Sequence, residues 1–115
     1  MIERDETVYV RHMLDAIDRI AQYVSGKDKS DFWASELLQD GVIRQLEILG
    51  EAAGRVSRDT CAAHAGVPWP KITGLRHRLI HDYFEVDRNM VWLVATVDVP
   101  EVRSEIESVL RSLEK

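Results

Sequence analysis

The sequence predicts an all-α protein: one domain over residues 1–115, folded as an up-and-down bundle of about five helices. Two observations carry the helical part of this. Apolar residues recur at three-and-four spacing along most of the chain, and nowhere do apolar and polar residues alternate between hairpin turns. There is no internal repeat, so a bundle is favoured over a solenoid.

The first helix is expected over residues 5–25, where Val10, Met13, Leu14, Ile17, Ile20, Ala21 and Val24 form one stripe and Gly26 stops it. Ser30 or Asp31 can cap the next helix. It leads through Phe32 and Trp33 into a stripe of Leu38, Val42, Leu46, Leu49, Ala53 and Val56 and ends near Ser57. Gly41, Gly50 and Gly54 weaken that helix and point to close packing against another. Residues 58–68 read as a loop, and Pro70 suits the first turn of a following helix. Asp87 can cap a helix through Met90, Val91, Val94 and Val97. Asp98-Val99-Pro100 then reads as a break and restart, with Asp98 as cap and Val102, Ile106, Val109 and Leu113 as the final stripe.

Composition narrows the class. A chain of 115 residues with 45% hydrophobic and 30% charged residues is that of an ordinary globular domain. No apolar run approaches the ~18 residues of a membrane span, and the first residues lack the pattern of a signal peptide, so a cytoplasmic protein with no membrane association is expected. Cys61 is the single cysteine, which excludes an intrachain disulfide. The net charge of −5 argues against broad nucleic-acid binding over the whole surface. The charge is uneven, however. Residues 61–88 hold four bases and three acids and are net positive, whereas the flanking segments are net negative.

That positive segment contains the densest chemistry of the chain, Gly74-Leu75-Arg76-His77-Arg78-Leu79-Ile80-His81-Asp82-Tyr83-Phe84-Glu85-Val86-Asp87. On one helix Arg76, Leu79, Ile80 and Tyr83 share a face, while Arg76 and His81 stand about 140° apart. Those two converge on one target only if the helix ends between them or a second chain supplies part of the site. The plainest reading is structural: Arg76, Arg78 and Asp82 as a solvated ion-paired face, with Tyr83 and Phe84 in the core. A metal reading uses His77 and His81, one turn apart, with Glu85 continuing their face, but Arg78 adds positive charge beside them. Cys61 and His64, without a second pair, are not a metal site. The third reading is metal-free phosphodiester cleavage. Histidine titrates near neutrality and serves as base or acid, while arginine stays charged and can hold two phosphate oxygens. One histidine cannot easily make both proton transfers in a single step. A dimer that brings two copies of His81 together would solve that problem and the angular one.

Arg76-x4-His81-x-Tyr83 resembles the signature of HepT-like toxins in the HEPN (higher eukaryotes and prokaryotes nucleotide-binding) superfamily. The resemblance extends to Arg44-Gln45-Leu46-Glu47-Ile48-Leu49-Gly50-Glu51-Ala52-Ala53, to Val67-Pro68-Trp69, to Phe84-Glu85-Val86-Asp87 and to Val91-Trp92. It implies an all-α homodimer with the signature residues of both subunits at the interface. The implied activity is that of a metal-independent endoribonuclease, the toxin of a toxin–antitoxin pair, acting on RNA without a cofactor. The implied partner is a minimal nucleotidyltransferase of the MntA type, which silences the toxin by transferring AMP to the signature tyrosine. By the same resemblance Arg76 would hold the scissile phosphate and His81 would transfer protons. Tyr83 would contact RNA when unmodified and receive AMP when silenced. His77 stands where the family commonly has asparagine, and with Arg78 it is an auxiliary candidate. The rival reading is a non-catalytic helical dimer that only holds such a nucleotidyltransferase.

Overall fold

In the computed structural model the backbone is described for residues 5–81 and 87–115, and side chains for residues 5–75 and 87–115. Seven α-helical segments occur among these residues, with no strand: α1 (Thr7–Val24), α2 (Lys29–Ala34), α3 (Glu36–Ala53), α4 (Arg58–Ala63), α5 (Trp69–His81), α6 (Arg88–Leu93) and α7 (Val99–Leu113). A π-helical turn, Val94–Asp98, joins α6 to α7. The all-α expectation is therefore met, although the chain is divided more finely than its stripes suggest.

The long helices pack α3 on α1, α5 on α3 and α7 on α1. The stripe of α1 buries Val10, Met13, Ile17 and Ile20 as its spacing requires, and Ala16 joins them. Val42, Leu46, Leu49 and Ala53 of α3 and Ile106 and Val109 of α7 extend the core. Phe32 of α2, fully buried, packs against Trp92 of α6 with ring centroids 5.2 Å apart and planes tilted by 40°, and so pins the two short helices together. No helix among the described residues is long and apolar enough to cross a membrane.

Four local expectations are corrected, three of them by a polar side chain or a proline. The helix expected from Ser30 or Asp31 to Ser57 is two helices. Asp28 caps α2 in a capping box with Asp31. Ser35 is then extended and caps α3 through the Leu38 N–H at 3.0 Å, so the apolar stripe runs on while the backbone breaks. α3 also stops earlier, at Ala53. The expected loop over 58–68 contains α4, capped by Ser57 through the Thr60 N–H, and its six residues are too few to show a period. Asp98 does not cap: it has helical backbone angles and makes no capping bond. Instead the chain passes from α6 to α7 through the π-turn, where the Val99 N–H bonds to the Val94 carbonyl five residues back. The wider turn suits Pro100, which has no N–H to give the carbonyl of Thr96. It also shifts the register, so that Val91, Ala95 and Val99 are buried at four-residue spacing and Val97 is left 45% exposed.

Most of the remaining landmarks agree. Gly26 takes φ 71° after α1, the left-handed conformation that a side chain disfavours. Gly41 does face α1, but a Cβ there would stand 3.4 Å from the Tyr23 ring, an ordinary contact, so the packing does not require the glycine. Pro70 lies in the first turn of α5, and Asp87 caps α6 by accepting from the Asn89 and Met90 N–H groups at 3.0 and 3.2 Å.

Candidate active site

The site is built on α5, and the start of that helix is firmly held. The indole N–H of Trp69 donates to the His64 carbonyl at 3.1 Å, and the Thr73 hydroxyl bonds back to the Trp69 carbonyl at 3.1 Å. Trp69 and Ile72 are buried, whereas Pro70, Lys71 and Gly74 are exposed, so one side of the helix faces the bundle and the other faces out. Helix α5 lies against α3: a Cβ at Gly54 would stand 4.0 Å from Thr73, and Leu49 of α3 shares a groove with Pro68, Lys71, Ile72 and Leu75.

Arg76, His77, Arg78 and His81 all belong to α5, and the helix continues through His81. That removes one of the two ways in which Arg76 and His81 could meet, because the helix does not end between them. Its register puts position 76 at about 20° from Trp69 and about 40° from Ile72. Position 81 falls between the angles of Pro70 and Gly74, within about 20° of each. The two signature positions thus occupy different sides of one helix. Tyr83 and Glu85, and with Glu85 the third donor of the metal reading, lie outside the described residues.

The other candidate ligands have ordinary partners. His64 Nε2 lies 3.2 Å from the Ser112 hydroxyl, tying the end of α4 to α7. Burial, with help from the Glu6 carboxylate, pushes the Cys61 thiol up, which keeps it protonated at neutral pH and makes it a poor nucleophile. Among the described residues no three His, Cys, Asp or Glu side chains gather around a common point.

One cluster was not singled out from the sequence. Tyr9 and His12 of α1 meet edge to face with centroids 6.4 Å apart, and the Arg55 guanidinium stands 6.0 Å over the Tyr9 ring. With Ile48, Glu51 and Ala52 they line an open groove of about 330 Å³. The only sequence signal was an aromatic and a histidine three apart on α1. Nothing tied them to an arginine just past the end of α3.

Comparison with known proteins extends this picture over most of the chain. Residues 13–109 match a family model described as "Ribonuclease HepT-like", and the match contains the whole of α5. A Methanocaldococcus jannaschii protein named "Gamma-glutamylcyclotransferase and putative RNase" is 34% identical over 99% of this chain, which spans only 51% of that relative. A second protein of that organism, named "Putative RNase", is 31% identical over 100% of this chain and 99% of its own length. The "Probable ribonuclease HepT" of Thermococcus cleftensis is 31% identical over 92% of this chain and 96% of its own. No solved structure gives a significant match. With its fold all helical, its Arg76 and His81 on one helix and the match running from within α1 into α7, the chain belongs to the ribonuclease HepT-like family.

Proposed function

We propose that the protein is a metal-independent endoribonuclease, the toxin of a toxin–antitoxin pair, and that it works as a homodimer. The observation that carries this reading is the Arg76-x4-His81-x-Tyr83 motif, inside the family match and with Arg76 and His81 on one unbroken helix. An unbroken helix keeps the two positions about 140° apart, and a second subunit that brings its histidine to the first subunit's arginine would put both groups onto one phosphate, which supports the dimeric reading.

The chemistry assigns each group a task. Arg76 holds non-bridging oxygens of the scissile phosphate and stabilises the charge that builds up on them. One His81, neutral, takes the proton from the 2′-hydroxyl as that oxygen attacks phosphorus. The His81 of the partner subunit, protonated, gives a proton to the departing 5′-oxygen. The products are a 2′,3′-cyclic phosphate and a 5′-hydroxyl, and the two histidines exchange protonation states. No step requires a metal or cofactor, so cleavage persists in excess chelator. His77 and Arg78 flank the signature positions and add donors for RNA phosphates.

Tyr83 is the site of silencing in this reading. A nucleotidyltransferase antitoxin transfers AMP from ATP to the phenol oxygen, releasing pyrophosphate. The added phosphate places negative charge where an RNA phosphate must bind. The test is the intact mass of the protein made with and without such a nucleotidyltransferase, followed by RNA cleavage by both samples. An AMP-sized mass gain on Tyr83, with cleavage confined to the unmodified sample, is expected. Cleavage by neither sample and no added mass would leave a helical module that holds the transferase.

A further inference from the structure

Resting on the ribonuclease reading above, we infer that the groove between α1 and α3 is a subsite that binds one unpaired base of the RNA, a base carrying an exocyclic amino group. The groove has the parts such a site needs. The partly buried Tyr9 offers a ring packed against the core, and so a platform that is fixed before the ligand arrives. His12 stands edge-on to it at 84° and closes one side. Arg55 is exposed, and its guanidinium lies 6.0 Å over the ring, so its planar face is placed to stack on an incoming base. The volume of about 330 Å³ falls at the lower end of small-ligand sites.

Glu51 decides between base and backbone. A carboxylate in the groove repels phosphate, yet it accepts well from the amino group of cytosine, adenine or guanine. Uracil offers no such amino group. The placement also suits the cleavage site. Glu51 lies in the last turn of α3, and Arg55 directly follows Gly54, which faces Thr73 of α5. The groove and α5 therefore flank the same helix, whose diameter is roughly 10–12 Å, and a short single strand laid across α3 reaches both.

The test uses the full chain carrying His81→Ala, so that RNA survives, and fluorescence anisotropy with short single-stranded oligoribonucleotides. Tighter binding of strands containing A, C or G than of oligo(U) is expected. Tyr9→Leu and Arg55→Ala should each weaken binding about tenfold, as loss of a base stack predicts. Glu51→Gln should narrow the preference over oligo(U). In the active protein the loss from Arg55→Ala should fall on KM far more than on kcat. Arg55 is exposed, so it reports even if Tyr9→Leu perturbs folding. RNA binding that neither variant changes would overturn the subsite and leave the ribonuclease reading standing. A wild-type protein that neither cleaves nor binds RNA would remove both.

Discussion

His81 and Glu6 show how differently single residues can be read. His81 stands out in the sequence because a titratable ring five residues from an arginine is a chemical pattern. His81→Ala should cut RNA cleavage about 10²- to 10⁴-fold in single-turnover assays while leaving the melting temperature nearly unchanged. Glu6 has no such pattern, yet its carboxylate accepts from the Ser57 N–H at 2.6 Å and the Thr60 hydroxyl at 2.9 Å, joining the start of α1 to the cap of α4. Burial pushes its pKa up, but the Ser57 and Thr60 bonds outweigh that and leave it below the ordinary glutamate value. A depressed folded pKa gives stability that is present at neutral pH and lost as pH falls below about 4 and through the folded value. Glu6→Gln should cost about 1 kcal/mol at pH 7, after allowing for solvent screening, and flatten the acid limb of a thermal-stability profile. An unaltered acid limb would show that this contact does not govern acid unfolding.

Helix ends and helix contacts respond to different substitutions. Gly26, at φ 71°, should lose about 1 kcal/mol on change to alanine. Gly41 lies inside α3, where a Cβ would meet the Tyr23 ring at an ordinary 3.4 Å. Gly41→Ala should therefore be neutral or stabilise by up to about 1 kcal/mol in urea denaturation. Asp87, which caps α6 directly after the signature stretch, should cost about 1 kcal/mol as Asp87→Ala and much less as Asp87→Asn, which keeps an accepting oxygen. Such caps were only partly legible. Asp87 and Gly26 interrupt their stripes and were readable, whereas Ser35 breaks a helix whose apolar spacing continues across it. The π-turn was not legible, because its signal is a register shift that only the packed neighbours reveal.

For the whole molecule, the proposals concern cooperativity and assembly. Phe32 belongs to the core that the long helices share, so Phe32→Ala should cost about 3–5 kcal/mol. A single unfolding transition, seen together by circular dichroism and tryptophan fluorescence, is expected if residues 1–115 form one domain. A dimer of the 13.2 kDa chain should appear in light scattering at micromolar concentration. If cleavage needs His81 from both subunits, replacing wild type by His81→Ala protein at constant total concentration, under subunit exchange, should lower activity as the square of the wild-type fraction. A linear fall would show that each copy works on its own.

The sequence by itself determined the all-α class, the faces of the long helices and the residues of the signature. These depend on period and on side-chain chemistry, both of which are local. Tertiary structure decided what depends on distance between segments. It carried α5 unbroken through His81, laid that helix against α3, and joined Arg55 to Tyr9 and His12 across 43 residues or more of chain. A stripe records which side of a helix is buried, but not which helix covers it or which polar groups then come together at the margin.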